Sequence, residues 1–231
     1  MVLRSLYELG QFDDIIQATD RVKPESSVGL VFANAADVWN DAAEYGCVGT
    51  PPCDYQGPWG AAKRSLYIAL KHIQITDIDM LLDDDVQDPQ LMAQYSTVYV
   101  VDPHMGTNTS IALAQWVEAG GSLWASATAG SLSEANAPNL PFRALLGLPS
   151  QALPVQKAAL IKHLKNELPA AGALETVTLQ DGRTVQAFGA VHVTNVTGPN
   201  TTVLARFSGG GSACFTRKVG KGHAYYCGFL P

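Results

Sequence analysis

The residues that could do chemistry gather behind predicted strand ends. Asp102 and His104 follow one apolar strand pattern; Ser126, Thr128 and Ser131 follow the next, with Glu134 just beyond. A histidine facing a hydroxyl is the general base of a nucleophilic hydrolase, and a carboxylate such as Asp102 or Glu134 would orient it. Asn34, Asp37 and Trp39 follow an earlier strand pattern. Open parallel sheets bind ligands beyond the carboxyl ends of their strands, near the topological switch point, so these three are expected to line the same pocket. The competing expectation is that a Ser/Thr-rich turn satisfies its own backbone groups, which such turns commonly do. His72 and His163 lie in helix patterns and read as surface or boundary residues. His192 and His223 lie in strand patterns, where packing is the default.

The four cysteines form two local candidate pairs. Gly220-Lys221 between two strand patterns reads as a two-residue hairpin turn, and counting outward from it sets Cys214 opposite Cys227 at a non-hydrogen-bonded site. Cα atoms there lie about 4.5 Å apart, which a disulfide accepts. Cys47 and Cys53 flank a tight loop containing Pro51-Pro52 and could also pair. Two such bridges fit an oxidising compartment; four free thiols in a reducing cytosol fit the same spacing. No C-x-x-C and no histidine at zinc-finger distance occurs, and the acidic run Asp83-Asp84-Asp85 reads as a solvated turn, so no metal is expected. The chain also lacks a P-loop, a G-x-G-x-x-G after a strand, a G-x-S-x-G elbow and H-E-x-x-H, and no cofactor is expected.

Composition narrows the partners. With 15 basic against 21 acidic residues and a net charge of −6, the chain is a poor match for a phosphate backbone, so nucleic acid is not an expected partner. No apolar run reaches the roughly 18–20 residues that span a bilayer, and the first ten residues do not form a signal peptide. A soluble α/β protein is expected. The abrupt end at Phe229-Leu230-Pro231 suggests a domain belonging to a longer polypeptide.

These candidates must be held by a strand–helix alternation. Residues 1–26 read as a helical lead-in, with Leu3, Leu6, Tyr7, Phe12, Ile15 and Ile16 as apolar members. Strands are expected at 28–33, 78–82, 96–101 and 122–127, and helices at 61–73, 90–94 and about 108–119, the last capped by Asn108, Thr109 or Ser110. Uninterrupted apolar strands such as VGLVFA should be buried on both faces. One more helix is expected over 155–168. From 175 onward, alternating Thr- and Val-rich segments predict antiparallel hairpins. The expected architecture is a flavodoxin-like three-layer sandwich with a mainly parallel sheet to about residue 150 and an antiparallel β-rich extension over about 170–231.

Four segments in this order, AAKRSLYIALKHIQI (61–75), VYVVDPH (98–104), AQWVEAGGSLWASATAG (114–130) and VGKGHAYYCGFL (219–230), resemble the class I glutamine-amidotransferase-like superfamily. The nearest branch is that of the β-galactosidase trimerisation-type domains of glycoside-hydrolase-like proteins, and the resemblance spans roughly 27–231. It implies that Thr128 stands where active members carry a nucleophilic cysteine in a G-x-C-x-G elbow. It also implies that the strand ending Gly228-Phe229-Leu230-Pro231 lacks the His-Pro-Glu those members carry. Glutamine hydrolysis is therefore not expected. Two functions are open: a degenerate, non-catalytic assembly or substrate-shaping module of a glycoside-hydrolase-like protein, or a small ester or amide hydrolase using Ser126, Thr128 or Ser131 with His104. The first implies a homo-oligomer or a larger polypeptide as partner, and a carbohydrate or other small molecule as ligand.

Overall fold

The computed structural model describes residues 27–36, 38, 39, 58–73, 75, 77–150, 155–157, 173–194, 196 and 199–230. Asp37, Cys47, Cys53, the 1–26 lead-in and most of the helix expected at 155–168 lie outside them. Where that helix was expected to begin, Val155–Lys157 is a strand.

The first half alternates as its apolar runs require. β1 (Val28–Val31) is followed by α1 (Pro58–His72), β2 (Asp79–Leu81), the short helices α2 (Asp83–Gln87) and α3 (Pro89–Met92), β3 (Thr97–Val100), α4 (Thr107–Ala119) and β4 (Ser122–Ala125). α5 (Leu140–Leu146) then leads through β5 (Val155–Lys157) into β6 (Glu175–Leu179), β7 (Thr184–His192), β8 (Thr201–Phe207), β9 (Ser212–Val219), β10 (Gly222–Cys227) and β11 (Phe229–Leu230). Leu30, Val31, Val98, Val100, Leu123 and Ala125 are buried, as strands covered on both faces must be. Val28, at the strand entrance, is half-buried.

The described strands form one large mixed sheet of eleven, in the order β11-β7-β6-β8-β9-β10-β4-β3-β1-β2, with β5 beside β7. β2, β1, β3, β4 and β10 are mutually parallel, whereas β9, β8, β6, β7, β5 and β11 join antiparallel. The expectation of a mainly parallel sheet thus holds for one half only. The β-rich part is no appendage: β10 pairs parallel with β4 on one side and antiparallel with β9 on the other.

Two apolar layers flank the parallel half. Val31, Val98, Val100 and Leu123 pack with Leu113 and Val117 of α4 and Phe142 and Leu146 of α5. On the opposite face Leu30 packs with Ala62 of α1, with Leu66, Tyr67 and Tyr99 around them.

The start of α4 departs from expectation. The helix begins at Thr107 behind Gly106, which has no side chain to cap it, and Asn108, Thr109 and Ser110 lie inside the helix. Its end follows the sequence, with Gly120 at φ 135° closing the last turn.

Cys214 and Cys227 face one another across β9 and β10, bonded as a disulfide with a Cα separation of 4.1 Å. The pairing Val219–Gly222 beside the Gly220-Lys221 turn sets this register, and Gly220 at φ 56° is the residue that tolerates it: a Cβ there would lie 2.6 Å from the Glu118 carbonyl oxygen. Free-thiol titration in denaturant without reductant should find both thiols blocked. Cys214→Ser/Cys227→Ser should lower unfolding stability by about 3 kcal/mol, the chain-entropy value for a loop of this length.

Candidate functional site

The candidate residues meet at the carboxyl ends of β1, β3 and β4, where the chain order reverses between β1 and β3. Two loops are laced together there. The Gly130 N–H donates to the Asp102 carbonyl (2.7 Å), the Leu132 N–H to the Pro103 carbonyl (3.0 Å) and the Met105 N–H to the Leu132 carbonyl (3.0 Å). Asn139, buried behind them, donates its side-chain amide to the Met105 carbonyl and the Ser110 hydroxyl.

Asp102 is fully buried, and its Oδ2 receives the ammonium of Lys63 at 2.9 Å and the Ala33 N–H at 3.2 Å. Lys63, from α1, is itself 5% exposed and lies 4.4 Å over the Phe32 ring. A carboxylate so deep needs a cation beside it, and Lys63 supplies one. Asp102 therefore ties α1, β1 and β3 together at the switch point. The pair escaped sequence reasoning because Lys63 sits in an amphipathic helix pattern, where a lysine reads as solvent-facing.

His104 belongs to a neighbouring cluster. Its ring stacks on Trp39 at 5.5 Å and 15°, and its Nε2 meets Asn136 Oδ1 at 2.9 Å. Its Nδ1 is buried without a hydrogen-bond partner. Trp39 donates its indole N–H to the Glu134 carbonyl (3.0 Å), and the Glu134 carboxylate accepts the Thr107 N–H (2.8 Å) and hydroxyl (3.0 Å). Glu134 thus supplies the cap that Gly106 cannot, from 27 residues away. Backbone N–H groups, its own and that of Thr107, hold its carboxyl below the usual range. Asn34 lies at the rim, its N–H bonded to Asp83 Oδ2 (2.8 Å), while Asp83 Oδ1 accepts the Thr109 hydroxyl (2.6 Å). The acidic run is thus no solvated turn: Asp83 bridges three segments, and Asp85 bonds the Leu82 N–H.

The hydroxyl-bearing turn after β4 is a third group. Thr128 has φ 65°, an uncommon conformation for a β-branched residue, and is buried. Its N–H donates to the Tyr226 hydroxyl (3.1 Å), which is in turn hydrogen-bonded to His192 Nδ1. The Ser126 hydroxyl is buried and has no hydrogen-bond partner. The Ser131 carbonyl accepts from Arg143 Nε (3.1 Å) and the Asn139 N–H (3.0 Å). Among the described residues no hydrogen bond joins His104 to Ser126, Thr128 or Ser131. Tyr226, His192 and Arg143 were missed by sequence reasoning because they come from elements that only the sheet order brings beneath the turn. Burial, and then the nearby Arg143 charge, push the His192 ring down to about 4. Burial raises the Tyr226 hydroxyl well above its usual range.

No protein-family model matches the chain, and none of the curated proteins does. Solved structures share its fold. The β-galactosidase from Bacillus circulans sp. alkalophilus superposes with a TM-score of 0.60 at 18% identity, over 90% of this chain and 29% of that one. The cold-adapted β-galactosidase from Rahnella sp. R3 gives 0.60 at 19% identity, over 88% and 28%. A cytoplasmic protein from Salmonella typhimurium LT2 gives 0.51 at 13%, over 87% of this chain and 86% of that one. The chain therefore spans less than a third of these two β-galactosidase chains, and at these identities what is shared is the fold.

Two predictions follow from these buried groups. Lys63→Met leaves the Asp102 carboxylate without its cation and should cost about 3–5 kcal/mol in urea unfolding, whereas Lys63→Met/Asp102→Asn should recover most of that loss. His192 binds its proton less readily when folded than when unfolded. Between about pH 4 and the ordinary histidine value near 6.5 the unfolded chain holds the extra proton. Stability should therefore be full above pH 6.5 and fall as the pH drops towards 4. Urea midpoints for His192→Asn should lack that part of the slope.

Proposed function

We propose that this chain is a non-catalytic, amidotransferase-like module that assembles or shapes the substrate site of a glycoside-hydrolase-like protein, with a carbohydrate or other small molecule as its ligand. The observation that carries this reading is that among the described residues no hydrogen bond joins His104 to Ser126, Thr128 or Ser131, while Asp102 is engaged by Lys63. Asp102 serves Lys63 and Ala33, His104 serves Asn136 and Trp39, and the Thr128 N–H serves Tyr226. A hydrolase needs the opposite, a nucleophile held by a base that a third group orients. The fold shared with less than a third of the Bacillus and Rahnella β-galactosidase chains supports a role as one part of a larger assembly. The order β2-β1-β3-β4-β10 of the parallel half supports a flavodoxin-like core, with β10 in the fifth place of a 2-1-3-4-5 sheet.

One observation favours the hydrolase reading. Thr128 holds φ 65° on a tight turn directly after a parallel strand, the position and strain of a nucleophile elbow. Sedimentation and a panel of activated esters and amides separate the two. The module reading expects self-association or capture of the remaining glycoside-hydrolase polypeptide, and no turnover that depends on the turn. A monomeric chain whose ester or amide turnover falls a hundredfold or more in Thr128→Ala or His104→Ala would replace it with the hydrolase reading.

A further inference from the structure

The chain carries three Asn-x-Ser/Thr triplets, at Asn108, Asn195 and Asn200. Such an asparagine is an acceptor for an N-linked glycan where its segment lies at the surface. Asn195 lies outside the described residues, and the fold separates the other two. Asn108-Thr109-Ser110 is wound into the first turn of α4, and over two residues a helix turns through about 200°. Asn108 is therefore exposed while Ser110 is buried, its hydroxyl donating to the Gly106 carbonyl (3.0 Å) and accepting from Asn139 (2.7 Å). Asn200-Thr201-Thr202 instead turns into β8. Residues two apart in an extended chain share a face, and Asn200 and Thr202 are both exposed. Asn200 has φ 68°, and its carbonyl accepts the Lys218 N–H (3.0 Å). Among the described residues no hydrogen bond engages its side-chain amide or the Thr202 hydroxyl.

We infer that Asn200 is a modification site, the acceptor of an N-linked glycan donated by a polyprenyl-diphosphate oligosaccharide. In that transfer the Asn200 side-chain nitrogen forms a bond to the anomeric carbon of the donor. The bond from that carbon to the phosphate oxygen breaks, the lipid diphosphate leaves with the electron pair, and the amide nitrogen gives up one proton. A transferase must reach the amide and the Thr202 hydroxyl together, and β8 presents both to solvent, whereas α4 hides the hydroxyl of the Asn108 triplet. The Cys214–Cys227 disulfide points the same way independently, because disulfides form and persist in the oxidising compartments of the secretory route. A glycan is bulky and solubilising, so its site must also be free of packing. Lys218 pairs with His223, and His223 with Ser122, the first residue of β4, so Asn200 sits at the amino end of the parallel strands. The candidate cluster occupies their carboxyl ends. A glycan at Asn200 therefore leaves that cluster open under either function proposed above.

The full chain, sent through the secretory pathway of yeast behind a cleavable leader, tests the inference. Treatment of the secreted protein with peptide N-glycosidase should shift it to lower mass and leave aspartate at position 200, read by tandem mass spectrometry. Asn108 should remain asparagine. Asn200→Gly tolerates the left-handed backbone and should abolish modification at this position. Thr202→Val keeps a β-branched residue in the strand without the hydroxyl and should abolish it too, whereas Thr202→Ser should retain it. In each variant blocked thiols at Cys214 and Cys227 report that the hairpin has folded. The inference fails if Asn200 is unmodified in the secreted, folded protein, including the case in which Asn195 alone carries a glycan. It also fails if modification survives Thr202→Val, or if Asn108 is occupied as fully as Asn200.

Discussion

The register of β10 decides where everything else can sit. This strand is the seam of the sheet, parallel to β4 and antiparallel to β9, and side chains alternate across it with a period of two. On one face it presents Tyr226, whose hydroxyl reaches the Thr128 N–H and His192. On the other it presents Tyr225, which stacks on Trp124, and Cys227, which bonds Cys214. A slip of one residue would exchange the faces. The buried phenol would then lie among the aromatics, the sulfur would point into the helical layer, and the turn after β4 would lose its partner. A two-residue turn and a disulfide both fix the register of this one hairpin, which suits a strand with so many dependants.

The same strand shows where sequence reasoning succeeds and where it stops. The turn at Gly220-Lys221 and the facing cysteines are local facts, separated by 13 residues, and could be counted from the chain. The buried runs of β1, β3 and β4 were legible for a similar reason, since uninterrupted apolar strands have few alternatives. The partner of β10 across the seam was not legible, because Trp124 and Tyr225 are about a hundred residues apart and no periodicity encodes that choice. Val155–Lys157 misled in the other direction. One helix was expected over 155–168, whereas these three residues pair with β7. Tertiary pairing overrides a local preference that is only weak.

The candidate site divides along the same line. That Asp102, His104, Ser126, Thr128 and Ser131 would gather beyond strand ends followed from strand positions alone, and they do gather there. Their chemical relations did not follow. Lys63 neutralises Asp102 from α1, Asn136 reaches His104 across 32 residues, and Glu134 caps α4 across 27. Each of these bonds answers a demand that burial creates: a carboxylate needs a cation, an imidazole needs a partner, a helix start needs an acceptor. Sequence spacing reveals the demand more readily than the group that meets it.

The two faces of the parallel half are covered unequally, and this shapes what the fold can do. The face holding Val98, Val100 and Leu123 lies under α4 and α5, and its aromatic side chains are fully packed. On the other face α1 covers Leu30 with Ala62, but where the sheet passes through Tyr99 and Trp124 the helix stands off and leaves a cavity. The difference originates in β10. A fifth parallel strand reached by a crossover helix would bring a second helix to lay on the sheet, as parallel connections usually do. Here β10 is reached through the β9 hairpin, and among the described residues no crossover helix accompanies it. Among the described residues, the route of the chain into its seam strand thus leaves an aromatic face partly open.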